Sequence, residues 1–341
     1  MTDKTLNMEM ANLICRFGDQ KVLLDFFDEM VYPSFFDEKL VRSYSKTSFF
    51  FHKVSLLSFG SDADGPNLGI VGRFIKDTTL EREQIFKRSE GLIKDSESMR
   101  SSPSSLFLLL LKNHRLIYIK ETKNAPSKES FRSTLLAFLR EKREQYITSL
   151  YEESKNKESL NSPKVTKGDL QEKISRPSVE IIPLTSEQSI EKFIKKYNVL
   201  SLIEISFSDR NDESDNDPFF EELQKRKDAL GSEKSIVRHK NSKGLDKEKV
   251  ITEISEATAQ GNQLIKLDGK DKSGDILRGN NEEFQLRKPI KGLSAKPKKA
   301  GNQLYEAFSG LVKSGLVKIP KAGKETKRKL DKIMEKYLNG N

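Results

Sequence analysis

Apolar residues fall into two rhythms along this chain, and each rhythm predicts its own element. Ala11 to Phe17 is a short apolar run ended by Gly18-Asp19, the pattern of a strand. Residues 20–36 instead place Val22, Leu23, Phe26, Phe27, Met30 and Val31 at helical spacing, with Pro33 near the close. Ser48 to Phe59 is aromatic and β-branched enough for a strand, and Gly60-Ser61-Asp62-Ala63-Asp64-Gly65-Pro66 signals a loop. Gly69 to Ile75 reads as extended, while Thr79 to Lys87 suits a partner strand or a helix. Leu106 to Leu111 and Leu116 to Glu121 form a hairpin across Lys112-Asn113-His114-Arg115. Continuous Leu and Ile on both runs predicts burial on both faces, and so the centre of a sheet. After Pro126, Ser127 is placed to cap a helix reaching about Tyr151, with Phe131, Leu135, Phe138, Leu139 and Tyr146 on one stripe.

Polar residues dominate 152–178, and the chain is expected to divide there. A first α+β domain covers 1–151, a flexible linker 152–178, an α/β domain 179–295, and a basic helical tail 296–341. In the second domain, strands at Val179 to Leu184 and Val199 to Phe207 flank a helix from Ser186 to Tyr197. An acidic loop (Asp209 to Asp217) leads, with Asp217-Pro218 as cap and first turn, into a helix ending at Leu230. A basic stretch at Arg238-His239-Lys240, a helix from Asp246 to Gln260 and a hairpin from Gln263 to Leu267 and Ile276 to Leu286 complete it. That order suits a ferredoxin-like plait within an overall α+β class, with a doubly wound order left open. Gly301 to Lys313 and a lysine-rich Lys321 to Tyr337 predict the last two helices.

With 341 residues, 35% hydrophobic and 33% charged, the chain is long for one core and suits two folded units with polar excursions. Twenty Phe and no Trp leave aromatic packing to Phe. The single cysteine, Cys15, excludes a disulfide within the chain and a Cys-built zinc site, and its apolar surroundings predict an inert buried thiol. Met1-Thr2-Asp3-Lys4 has neither the basic start nor the apolar stretch of a secretory leader, and the longest apolar run, Leu106 to Leu111, is too short for a bilayer. A reduced cytoplasmic setting is the expectation.

Charge changes the picture most. Between Lys288 and Asn341 stand fourteen lysines and arginines against four carboxylates, an excess equal to the whole chain's net charge of +10. A neutral body therefore carries a basic end, which points to a polyanion, nucleic acid first and an anionic membrane surface second. The candidate phosphate contacts are Lys296, Lys298, Lys299, Lys321, Lys324, Lys327, Arg328, Lys329, Lys332 and Lys336. Lysines bind phosphate as point charges without base information, so binding should be salt-sensitive and tolerant of sequence.

Catalytic candidates are fewer. Glu121-Thr122-Lys123 at the end of the hairpin has the Glu-x-Lys spacing of metal-dependent nucleases of the PD-(D/E)xK type, where the carboxylate holds Mg²⁺ and the lysine polarises water. Such an enzyme needs a further acid, and its Mg²⁺-dependent cleavage would be lost in Glu121→Gln. His114 lies in the turn beside Lys112 and Arg115, where it reads as a turn residue, a phosphate contact or a base; His52 and His239 are too distant in sequence to form a metal motif with it. Asp209, Asp212, Glu213, Asp215 and Asp217 lack fixed ligand spacing, and Asp268 to Asp275 fails the spacing of a calcium loop and reads as a hairpin turn. No phosphate-cradling glycine loop is present. No cofactor is expected, with Mg²⁺ needed only for the nuclease alternative.

The layout of neutral α+β body, polar linker and lysine-rich tail is similar to that of accessory proteins of bacterial mobile elements and phage-defence loci; the likeness assigns no residue. The reading is of a non-catalytic nucleic-acid-binding or sensing protein. The alternatives are the nuclease and a protein-protein adaptor or self-associating subunit docking through Leu135, Phe138, Phe308 and Leu311.

Overall fold

A computed structural model describes residues 5–19, 21–156, 165–208, 210–211, 218–319 and 323–339. The chain opens with β1 (Leu6–Phe17), β2 (Lys21–Val22), tight helical turns at Leu23–Phe26 and Phe27–Val31, and α1 (Tyr32–Phe36). Next come β3 (Arg42–Tyr44), β4 (Thr47–Asp62), β5 (Gly65–Lys87), β6 (Gly91–Ser101), β7 (Ser104–Leu110) and β8 (Arg115–Lys120). Then follow α2 (Lys128–Asn156), α3 (Lys167–Lys173), β9 (Pro177–Pro183), α4 (Glu187–Ile194), β10 (Tyr197–Phe207), α5 (Pro218–Ala229) and β11 (Ser235–Lys240). The rest is α6 (Lys247–Thr258), β12 (Gln263–Asp271), β13 (Ile276–Asn280), β14 (Arg287–Ile290), α7 (Pro297–Lys313) and α8 (Lys324–Met334). The class is α+β. Among the described residues no helix is long and apolar enough to cross a membrane.

The leucine-rich hairpin sits where its composition demands. A ten-stranded sheet runs β14-β1-β8-β7-β5-β4-β3, with every pairing antiparallel. Phe107, Leu109, Leu116 and Tyr118 point into one core with α2, the early helical turns and α8. Leu106, Leu108, Leu110, Ile117 and Ile119 point into a second core beneath α7. Helices on both faces explain why β7 and β8 carry no polar alternation. Ser127 caps α2 as expected, its hydroxyl accepting from Ser130 N at 3.1 Å.

The expected division at 152–178 does not hold within the sheet. α2 continues to Asn156, and α3 follows with Thr166 as its cap. Arg143 of α2 donates from Nε to Ile174 O (2.7 Å) and from Nη2 to Gln171 O (2.9 Å), so this polar stretch is held by the helix before it. Residues 157–164 lie outside the described residues. The second edge of β1 is shared: β14 pairs with residues 6–9 and β9 with residues 11–17. Residues 184–286 therefore form an insertion that leaves and rejoins the same strand edge. Its neck is closed by Leu184 N to Met10 O (2.9 Å) and Leu286 N to Leu184 O (2.7 Å).

The insertion has its own four-stranded sheet, β11-β10-β12-β13, and its own core of Ile190, Phe193, Ile203, Ile205, Phe220, Ile254 and Leu267. All its pairings are antiparallel, and its elements run α-β-α-β-α-β-β. The βαββαβ order of the expected plait is therefore not the order found. Asn280 and Asn241 support turns, and Asp271 closes the β12–β13 hairpin by accepting from Ser273 N and Asp275 N, so the calcium-like loop is a turn.

Nor is the basic end a free tail. α7 roofs the second core, and α8 buries Leu330 and Ile333 in the first. Beyond α8, Tyr337 stacks on Tyr32 at 4.3 Å between ring centres. Leu135, Phe138, Phe308 and Leu311 are all buried, so the faces assigned to an adaptor are taken up by the fold itself.

α8 is also held electrostatically. Lys329 Nζ lies 2.9 Å from Asp25, and Lys336 Nζ lies 2.6 Å from Asp28. Burial pushes the Asp25 carboxyl up, but the Val22 amide and the Lys329 ammonium together hold it below the ordinary carboxylate range. A depressed carboxyl stabilises the fold above its unfolded pKa of about 3.9 and loses that contribution as pH falls through the folded value. Asp25→Asn should thus lower the urea midpoint at neutral pH, with the gap to the parent protein closing below about pH 4.

Candidate nucleic-acid interface

The basic residues of the C-terminal region separate into two groups once they are placed on α7 and α8. On α8 the solvent face carries Lys324, Arg328 and Lys332, but also Glu325, Asp331 and Glu335. Arg328 already pairs with Glu325 at 2.9 Å. The remaining bases of this helix turn toward the body. Lys327 donates to Ala63 O at 3.3 Å and lies against Gly65, while Lys329 and Lys336 meet Asp25 and Asp28. Gly65 has φ +103, and a Cβ there would stand 2.9 Å from Lys327 Cγ, so the turn before β5 is shaped to receive this lysine. The α8 bases thus serve docking and a charge-balanced surface. Lys321 lies outside the described residues.

α7 is different. From Arg287 to Tyr305 the sequence holds six bases and no acid. This segment forms the edge strand β14, a short loop and the start of α7. The loop is pinned from two sides. Gln303 accepts from Ser294 N (2.9 Å) and donates to Gly292 O (3.1 Å), and Arg73 donates from Nη2 to Ala295 O (2.8 Å). Lys291, Lys296, Lys298 and Lys299 are exposed around this fixed backbone, and among the described residues none has a carboxylate within ion-pairing distance. Lys296 is the N-cap and has no side-chain acceptor for the first-turn amides, Pro297 is the first helical residue, and no acid occupies the first turn. Three lysines therefore gather at the positive end of the helix dipole, where they repel one another unless an anion is present.

Glu121 is drawn into the foundations of this patch and away from metal chemistry. Arg73 Nε and Nη2 grip its carboxylate at 2.9–3.1 Å, and Ser104 Oγ donates to it at 2.7 Å. The same guanidinium holds Ala295 O, so Glu121 orients the arginine that fixes the loop beside Lys296. Lys123 is exposed on the turn after β8. Among the described residues no group of three His, Cys, Asp or Glu side chains is arranged to hold a metal ion.

His114 is 1% exposed at φ +54, and its carbonyl accepts from Leu13 N at 2.8 Å. It is closed to any solvent ligand and belongs to a buried polar seam between the main sheet and the insertion. There Asn12 donates to Gly261 O (3.2 Å) and Asn262 Oδ1 (3.0 Å), and Asn211 donates to Leu13 O (3.2 Å). His52 and His239 are exposed on β4 and β11, on different sheets. Cys15 is fully buried, and burial pushes its thiol up to about 12, which leaves it inert as expected. Asp209, Asp212, Glu213, Asp215 and Asp217 lie outside the described residues.

Sequence reasoning missed Arg73, Gln303 and Lys291. The absence of acids from Arg287 to Tyr305 was the signal for Lys291; nothing local marks Arg73 or Gln303, whose roles depend on strand register. No protein-family model matches the chain, and no curated protein matches it either.

Proposed function

We propose that this is a non-catalytic nucleic-acid-binding protein that holds the phosphate backbone at the N-terminus of α7, through Lys291, Lys296, Lys298 and Lys299. One observation carries the reading: an acid-free basic segment, pinned by Gln303 and Arg73, presents lysines without carboxylate partners among the described residues at the positive pole of a 17-residue helix. The insertion, which has a separate core, is read as a second folding unit carrying further phosphate contacts. Its sheet face turned away from that core offers Lys240, while Arg238 and Lys266 there pair with Glu204 and Arg278 with Asp268. Few aromatic side chains accompany the lysines, so the contact is with charge and without base stacking.

Removing α8 is a poor test, because it strips Leu330 and Ile333 from the first core. Fluorescence anisotropy with labelled duplex DNA and RNA across a salt series tests the reading directly. Each phosphate contact adds about −0.9 to the log–log salt slope on duplex DNA. Lys296→Glu/Lys298→Glu/Lys299→Glu should weaken binding at least about tenfold and flatten that slope by roughly 3. Lys324→Glu/Lys332→Glu on α8 should change affinity only slightly, since that face is already balanced. Absence of binding at low salt, or equal loss in both variants, would overturn the assignment.

A further inference from the structure

Beyond Thr78, β5 outruns the main sheet. Among the described residues, 79–87 pair only with β6, residues 91–100, so the two strands leave the body as a ribbon. Isolated two-stranded ribbons are at best marginally stable in water. This one nevertheless exposes four large apolar side chains: Leu80, Phe86, Leu92 and Met99, of which Phe86 is 69% exposed.

Their register gives the pattern meaning. Leu80 stands opposite Met99, Arg82 opposite Glu97, Gln84 opposite Lys94, and Phe86 opposite Leu92. Alternation along β5 puts all four rows on one face, with an extra β6 residue bulged out between Glu97 and Lys94, at the middle of the ribbon. From base to tip that face reads apolar, polar, polar, apolar, which is the same in either direction.

We infer that this ribbon face is a two-fold interface between two copies of this chain. An isologous contact needs a self-complementary patch, and the palindromic order supplies one. A two-fold axis lying across the ribbon, between the two polar rows, turns the second ribbon end for end above the first. Leu80 then faces the second copy's Phe86, Met99 its Leu92, Arg82 its Gln84, and Glu97 its Lys94. The charges agree with this pairing. Lys94 has no carboxylate partner among the described residues, and Glu97, although paired with Arg82 at 2.8 Å, keeps an exposed side chain able to receive a second cation. Each Lys94 thus gains a Glu97 across the axis, twice per dimer.

The base of the ribbon is shaped for the incoming tip. Leu80 borders a hollow lined by Phe49, Pro103, Ala125, Pro126 and Ser130, and the second copy's Phe86 arrives at its rim. End-for-end stacking also places the two bodies at opposite ends, where they do not collide. A nine-residue ribbon is roughly 30 Å long and about 10 Å wide, so each copy covers roughly 300 Å² there. A standard interface covers about 800 Å² per partner, so the dimer is weak and concentration-dependent.

Sedimentation velocity over a protein dilution series tests this with the full chain. The parent protein should move from the mass of one chain toward that of two as concentration rises, and Phe86→Glu should stay monomeric with an unchanged circular dichroism spectrum. Lys94→Glu and Glu97→Lys should each lose association, since like charges then meet twice. Mixing the two variants should restore it, because both cross-axis contacts between positions 94 and 97 then join opposite charges. A parent protein monomeric throughout, association retained by Phe86→Glu, or no recovery on mixing would overturn the proposal.

Discussion

Phe131→Ala should lower the stability of the main sheet by about 3–5 kcal/mol, read as a shift of the urea midpoint. Phe131 is fully buried on α2 and packs against five aromatic rings: Phe35, Phe51, Phe74, Phe107 and Tyr118, with centroids 5.1–6.3 Å away. These rings come from α1, β4, β5, β7 and β8, so one truncation removes contacts from five elements together. Ring edges meeting ring faces cannot close over the void without losing their own geometry, which places the cost at the high end for a core truncation. Phe131→Leu, which fills most of the volume, should cost less than half as much. A loss under about 1 kcal/mol for the alanine variant would mean that α2 is not the organiser of this core.

Gly269→Ala should have an effect of similar size, confined to the insertion. A Cβ at this position would lie 2.2 Å from Val199 O and 3.0 Å from Leu200 Cα, both backbone atoms that cannot rotate aside. The approach occurs where β10 and β12 shift register between Leu200 and Leu202, so glycine is required by a bulge that brings two backbones together. The expected result is a cost of about 3 kcal/mol or more, with amide-exchange protection lost along β10 and β12 and retained in β7 and β8. Equal loss in both sheets would show that they unfold as one unit.

Much of the fold was legible because periodicity reports burial. The runs around Leu106 and Leu116 announced two buried faces, and α2, α6 and α7 followed from their stripes. What was not legible depended on register or distance. Thr79 to Lys87 continues a strand instead of starting an element, because β6, too polar to read as a strand, lies beside it and supplies its partners. Val179 to Leu184 reads as the start of a second domain, yet it completes the first sheet through Cys15 and its neighbours on β1. The polar stretch at 165–176 is ordered by Arg143, a residue whose sequence context suggests only a solvated helix face.

The candidate site followed the same rule. Composition marks the basic end, but it does not separate lysines that dock on the body from those without a carboxylate partner among the described residues. Lys329 and Lys336 stand some three hundred positions from the aspartates that neutralise them, so their pairing leaves no trace in local charge patterns. Lys296, Lys298 and Lys299 kept their solvent-facing positions because no acid accompanies them in the first turn of α7.

The contact of Tyr337 with Tyr32 and of Leu330 with the first core also sets an order of events during synthesis. A ribosome delivers residues 21–36 some three hundred positions before α8, so the groove beside Phe27 and Tyr32 stays open until Leu330 to Tyr337 emerge. A chain halted before α8 displays an aromatic cleft and the carboxylates of Asp25 and Asp28 without Lys329 and Lys336. With α8 and Tyr337 in place the cleft is filled and both carboxylates carry a lysine, so this one segment sets both the shape and the charge of that surface.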